Sequence, residues 1–334
     1  VVELSQLHSE TLVVISDSVE LGAQVKLWAQ KEGTEVVVLI QQFRTLSTFL
    51  KEHSPAGIFL AFLKTVLSRW LYSRRFRPPK ITQEEHVVIH SLSHVSSFRE
   101  AGSYRDAYFG PLVDYLTDTR RKALVFAGIQ EQPRTQLKKL KEVRGGIPIL
   151  PVESCVSIAA LVSILVRALS SYVRSPSVNG GAVIDGLDVS YLVNNVIQKA
   201  RHSGNLFMNL LVFYASKKLA RSIPISRWLY PFENLAWEKM LLLGTRSSGH
   251  DIRMIGYQHA SITKSNATYQ SMVLPEDQKQ AIPFPNTVVT TGDVTHQWLE
   301  REGHYTTSTK VKAACALRPA FLPLYEPKRR EPHL

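Results

Sequence analysis

Short apolar runs without polar alternation punctuate this chain. Residues 11–16 (TLVVIS) and 35–40 (EVVVLI) are β-branched and unbroken, and 19–30 between them carries apolar residues at helical spacing. A strand that is apolar at every position suits a parallel sheet covered on both faces, because neither side meets water. The pattern returns at 86–90 (HVVIH), 123–127 (ALVFA) and 147–151 (IPILP), with helical spacing over 110–119 and 154–172. A Rossmann-like α/β region over residues 1–172 is the predicted result.

The texture then changes. The stretch 174–181 (RSPSVNGG) predicts a loop, while 188–201 and 206–221 predict two consecutive helices. Pro224 breaks the chain, and 234–243 predicts a further helix, so residues 173–250 form a mainly helical insertion. Strand patterns resume at 252–257 and 287–291, with a helix over 293–302, so 251–334 closes the fold as α/β. The fold class is therefore α/β: a Rossmann-like parallel sheet with a helical insertion.

Composition narrows the class further. With 44% hydrophobic and 20% charged residues in 334, the chain is too apolar for a disordered one. Two cysteines, Cys155 and Cys315, cannot build a disulfide framework, which suits a reducing, cytoplasmic setting. The first ten residues (VVELSQLHSE) lack the basic start and apolar run of a signal peptide, and no stretch approaches the ~20 apolar residues of a spanning helix. The formal charge of +12 points to an anionic partner.

Residues 56–80 locate much of that charge. Apolar positions run from Ile58 through Trp70 to Tyr72, and Pro78 and Pro79 end a helix expected over 56–77. Lys64, Arg69, Arg74, Arg75, Arg77 and Lys80 add six positive charges, with no acid between 64 and 80. Such a helix can lie in a bilayer interface, aromatics such as Trp70 at headgroup depth and basic groups on anionic lipid. It can equally be a core helix with a solvated basic end. Basic residues interleaved with exposed aromatics, or a known nucleic-acid module, are not found, so a membrane surface is the expected partner rather than nucleic acid.

Candidate chemistry falls at three places. His86, His90 and His94 are spaced by four and would share a helix face, but the Val-Val-Ile and Ser-Leu-Ser between them read as a strand entering a loop, so no metal site is expected. Glu233, with Asn234 as a helix cap and Glu238 one turn on, is either a capping arrangement or a carboxylate set for proton transfer. Gln258 and His259 directly follow an apolar strand, where open α/β sheets place ligand contacts; a lone histidine there can also be structural.

At these residues the chain resembles a family. The segments 230–240 (YPFENLAWEKM), 256–261 (GYQHAS), 285–292 (PNTVVTTG), 298–305 (WLEREGHY) and 316–318 (ALR), with 105–110 (RDAYFG), are similar to bacterial surface-carbohydrate biosynthesis proteins. Those are GT-B-like glycosyltransferases for O-antigen or capsule, and the likeness runs over about residues 100 to 320. The resemblance implies an N-terminal acceptor lobe of a nucleotide-sugar-dependent transferase. In it Glu233 would deprotonate the acceptor hydroxyl and His259 would position the sugar or stabilise charge. Gln258, Arg318, Arg105 and Asp106 would line the substrate cleft. It implies no metal or other cofactor, since helix N-termini and basic side chains stabilise the leaving diphosphate. The implied partners are a nucleotide-sugar donor, a glycan or lipid-linked acceptor, and the anionic surface of the inner membrane, reached from the cytoplasm through Lys64, Arg69, Trp70, Arg74, Arg75 and Arg77. In that family a donor-binding lobe begins shortly after the Ala-Leu-Arg motif, whereas this sequence runs sixteen residues past Arg318. The expectation is an acceptor lobe without its donor lobe, the alternative a non-catalytic membrane-docking or carbohydrate-assembly module.

Overall fold

The computed structural model describes residues 11–16, 19–40, 54–74, 76, 81–98, 104–129, 132–143, 146–173, 183–184, 187–202, 204–262, 267–269 and 276–317. The chain divides into two compact units, one built from 1–65 and 162–207 and the other from 66–161 and 208–334. Among the described residues no helix is long and apolar enough to cross a membrane.

In the first unit, β1 (Thr11–Ser16) and β2 (Glu35–Ile40) pair in parallel, with Thr11 opposite Glu35, and α1 (Val19–Glu32) connects them. Gly33 stops α1 in the left-handed conformation that glycine adopts without a Cβ penalty (φ +68°). α2 (Pro55–Phe62) starts on Ser54, whose Oγ accepts the Gly57 N–H at 3.0 Å, and Pro55 fits the first turn because no N–H is needed there. After α2 the chain makes a π-helical turn, Leu63–Leu67, within which it leaves the first unit, and continues in the second as α3 (Ser68–Ser73).

The second unit holds the larger sheet. Its strands are β3 (His86–Ser93), β4 (Ala123–Ile129), β5 (Ile149–Pro151), β8 (Ile225–Pro231), β9 (Arg253–Tyr257), β10 (Thr287–Thr290) and β11 (Lys310–Ala313). The two short strands β6 (Val183–Ile184) and β7 (Leu187–Asp188) pair apart from it. All seven strands run parallel in the order β11-β10-β9-β8-β3-β4-β5. The chain winds outward from β3 to β5, then returns to the opposite side of β3 and winds outward again. That reversal is the topological switch of a Rossmann-like sheet. The helices are α4 (Leu112–Asp118), α5 (Pro133–Glu142), α6 (Ile158–Val173), α7 (Ser190–His202), α8 (Gly204–Ser222), α9 (Ala236–Arg246), α10 (Glu276–Gln280) and α11 (Asp293–Glu302); α6 and α8 pass from one unit into the other, and α7 lies in the first.

The core explains the unbroken apolar strands. Val88 and Ile89 of β3 and Leu124 to Ala127 of β4 are completely buried, so both sheet faces are covered. Ile89, Val125, Ala127 and Ile129 pack with Phe109, Leu137 and Tyr257. At one edge β11 exposes Lys310 and Lys312, which discourages pairing with another strand.

Two groupings differ from the sequence reading. β1 and β2 lie outside the large sheet, although their apolar pattern matches that of β3 and β4. Residues 225–231 lie within the expected helical insertion, yet form β8, the strand that pairs with β3. Ser226 and Arg227 interrupt the apolar run there, and Arg227 is tolerated because it is exposed near the start of the strand.

Candidate functional site

The ends of β8 and β9 meet beside the topological switch. Their register sets Tyr230 opposite Gly256 and Pro231 opposite Tyr257, and the Phe232 N–H extends the ladder to the Tyr257 carbonyl at 2.8 Å. Two residues further along each strand stand Glu233 and His259. The register therefore brings them side by side, with Glu233 Oε1 3.2 Å from His259 Nε2. A Cβ on Gly256 would lie 2.9 Å from Phe232 Cβ and 3.0 Å from its ring, so glycine lets this aromatic close over β9.

Both residues are held by their neighbours. Glu238 is buried, and its Oε1 accepts the N–H groups of Glu233 (2.9 Å) and Leu235 (3.1 Å), while Oε2 accepts that of Asn234 (3.1 Å). Asn234 is left-handed (φ +60°) and donates through Nδ2 to the Thr268 carbonyl at 2.8 Å. The cap expected of Asn234 is thus supplied from inside the helix by Glu238, and α9 begins on Leu235. Burial pushes the Glu238 carboxyl up to about 8, against the three N–H groups that favour its charge. The adjacent Lys239 amine is pushed down to about 8 by burial, and donates to the Pro283 carbonyl at 3.0 Å.

His259 is fixed through Gln258 on one side and Ala260 on the other. The buried Gln258 accepts the Thr291 N–H and Oγ1–H, each at 3.1 Å, and its Nε2 donates to the Ala260 carbonyl. Gln258 thereby ties the end of β9 to the end of β10. The His259 side chain is 6% exposed and that of Glu233 35%, so the carboxylate is the partner that solvent or a ligand reaches.

Tyr108 completes the wall. Its ring stands edge-on to His259 at 4.6 Å, and its hydroxyl lies 3.0 Å from His94 Nε2. Asp106 positions it: Oδ1 accepts the N–H groups of Tyr108 and Phe109, both at 2.8 Å, and Oδ2 accepts the Tyr104 hydroxyl at 3.1 Å. Tyr269 also borders Glu233, and its phenol is raised by burial first and by the Glu233 charge second. A half-exposed carboxylate, braced by an imidazole and walled by two phenols, is equipped to take a proton from a hydroxyl.

No protein family, curated protein or solved structure matches this chain.

The geometry therefore carries the functional reading. Three of the segments singled out in the sequence converge here. Gly110 (φ +47°) passes under Leu317, where a Cβ would fall 2.5 Å from the Leu317 carbonyl oxygen. The Leu317 N–H in turn donates to the Tyr257 hydroxyl at 2.7 Å, and Phe109 packs on Tyr257 at 5.6 Å. Arg105 is half-buried and its N–H bonds the Ser97 carbonyl at 2.8 Å. Arg318, Arg75 and Arg77 lie outside the described residues.

The three spaced histidines separate along β3, as the strand reading requires. His86 Nδ1 meets the Glu84 carbonyl at 2.6 Å, and His90 is buried between Phe126 and Trp237 with its ring pushed down to about 3. Among the described residues no cluster of three His, Cys, Asp or Glu is arranged to hold a metal. Sequence reasoning passed over Tyr108 and left His94 aside once the metal was discounted. The signal for Tyr108 was Asp106 two positions earlier, since aspartate commonly accepts the N–H two residues on.

The groups of the basic segment differ in their surroundings. Arg69 donates to the Ile129 carbonyl and lies 3.7 Å from the buried Glu153, while Trp70 Nε1 donates to the Val156 carbonyl at 2.9 Å. Lys64 and Arg74 are exposed, Arg74 lying over the Trp70 ring at 5.4 Å.

Proposed function

We propose that this chain is the acceptor-side lobe of a GT-B-like glycosyltransferase acting on surface glycans, with Glu233 as the base. The Glu233–His259 pair at the carboxyl ends of adjacent parallel strands, beside the sheet's topological switch, is the observation that carries the reading. An acceptor hydroxyl entering the crevice gives its proton to the Glu233 carboxylate. Its oxygen then bonds to the sugar's anomeric carbon as the bond from that carbon to the nucleotide diphosphate breaks. His259 holds the carboxylate in line through Nε2. Gln258 and Asp106 position His259 and Tyr108, and the substrates are a nucleotide-sugar and a glycan or lipid-linked acceptor.

An anionic membrane surface at the cytoplasmic face fits the exposed groups of the basic helix. Phe59 and Leu60 are exposed on α2 beside Lys64, and Leu71 is exposed on α3 beside Arg74. Leu71 and Arg74 can enter an interface while Arg69 and Trp70 anchor α3 in the second unit.

The test is nucleotide release from a panel of nucleotide-sugars by the full-length enzyme, donor-binding lobe included, with bacterial membranes supplying the acceptor. Glu233→Gln and His259→Ala should each lower turnover at least ~100-fold, the scale of positioned acid–base catalysis, while circular dichroism stays unchanged. Undiminished turnover in both variants would remove the site assignment.

A further inference from the structure

We infer that the pocket between the start of α6 and the C-terminal half of α8 is a binding site for a phosphate group. The pocket has a volume of about 230 Å³, and Ser157, Tyr214, Lys217, Lys218, Arg221 and Ser222 are among its lining residues. No carboxylate lines it, and among the described residues none of the three cations has an acidic partner within ion-pair distance. Three positive charges thus converge on one concavity without neutralisation.

Stability of the helix does not account for this. Lys217 and Arg221 stand four apart on α8, where like charges repel and destabilise the helix. A basic residue near a helix C-terminus offsets the helix dipole, but only Arg221 lies in the last turn. Lys217 lies over the Phe213 ring at 5.9 Å, a contact that leaves its N–H groups, like those of Lys218, able to meet an anion. Lys218 is exposed and Lys217 half-exposed, so both ammonium groups can turn toward the pocket. Arg221 is partly fixed, one Nη donating to the Ser247 carbonyl at 3.2 Å, which holds its guanidinium in place. Ser157 Oγ accepts the Ala160 N–H at 3.2 Å and keeps its own proton to donate.

A phosphate suits these donors better than a carboxylate does. It offers three acceptor oxygens and up to two negative charges, so that two ammonium groups, a guanidinium and a hydroxyl can engage it together. The group can belong to a soluble phosphate ester or to a phospholipid headgroup. The pocket is built on elements other than those that carry Glu233 and His259, so the inference does not depend on the proposed transfer reaction.

The experiment titrates the whole chain with pyrophosphate by isothermal calorimetry, and separately sediments it with phosphatidylcholine vesicles containing or lacking phosphatidylglycerol. Lys217→Gln/Lys218→Gln leaves Arg221 and its bond to Ser247 intact. This double variant should weaken pyrophosphate binding at least tenfold with an unchanged melting curve, whereas Glu233→Gln should bind as the parent does. Loss of phosphatidylglycerol-dependent sedimentation in the double variant identifies a lipid headgroup. Retained sedimentation with lost pyrophosphate binding identifies a soluble ester. Equal pyrophosphate affinity in parent and double variant, or no pyrophosphate binding by the parent, overturns the site.

Discussion

Glu238 holds the loop that presents Glu233, and its replacement tests that arrangement directly. Its carboxyl is 1% exposed and accepts three successive N–H groups. Glu238→Ala leaves three half-buried donors without their partner, at up to about 1–3 kcal/mol each, partly offset by removing a buried acid. We expect a net loss of about 3–5 kcal/mol, measured as the shift in urea midpoint at constant slope. Glu238→Gln is gentler, since its single oxygen in the Oε1 position keeps the bonds from Glu233 and Leu235 and gives up the one from Asn234. It also removes a titration. With the folded carboxyl raised to about 8, the native state binds more protons than the unfolded chain between the ordinary carboxyl range and pH 8. The parent's stability should therefore fall relative to Glu238→Gln as pH rises through that window, by up to about 1.4 kcal/mol per pH unit. His90 and Lys239 act in the opposite sense, His90 from about pH 3 to its ordinary value and Lys239 from about pH 8 upward. Both are present in parent and variant, so the difference isolates Glu238. Urea unfolding of the two proteins at several values between pH 5 and 8 decides the matter. A parent that gains on the variant as pH rises would refute the reasoning, because the three N–H groups would then outweigh burial and hold the carboxylate ionised.

Gly256→Ala drives a methyl group into Phe232 at 2.9 Å and should cost about 1–3 kcal/mol in urea unfolding. Tyr108→Phe keeps the ring against His259 but removes the hydroxyl from His94. It should cost about 1 kcal/mol and move the His94 imidazole resonances in NMR spectra more than those of His259. Burial pushes the Cys155 thiol up to about 12, while Cys315 is exposed. Native protein should therefore react with a thiol reagent rapidly at one cysteine and with both only after denaturation; two fast thiols would contradict the packing around Cys155.

Much of the sheet was legible because its strands are buried on both faces. Val88 to Ile89 and Leu124 to Ala127 announce themselves as unbroken apolar runs. Pattern alone says what a segment is but not which neighbour it finds, so β1 and β2 read like β3 and β4 yet pair apart from them. β8 escaped notice because Ser226 and Arg227 break its apolar run between two prolines, and its identity comes from β3 and β9 on either side. At the site, Glu233 and His259 were each identifiable by their place after apolar or aromatic segments. Their pairing depends on the β8–β9 register, which no local feature encodes. Tyr108 reaches them from a distant turn, through an Asp106 cap that sequence reading took for a ligand contact.

The seam between β3 and β8 carries a cost in time. It joins residues 140 apart in sequence, as in the Ser226 hydroxyl bond to the His86 carbonyl. Loop closure over such a span must precede any gain from the pairing, so contacts of this kind form late and slowly. β3, β4 and β5 can associate first, leaving one flank of β3 open until β8 docks. Glu233 and His259 both follow strands on the late side of that seam. Recovery of the site after dilution from denaturant should therefore lag behind recovery of helix signal, and the unfilled flank of β3 is where a stalled chain would aggregate.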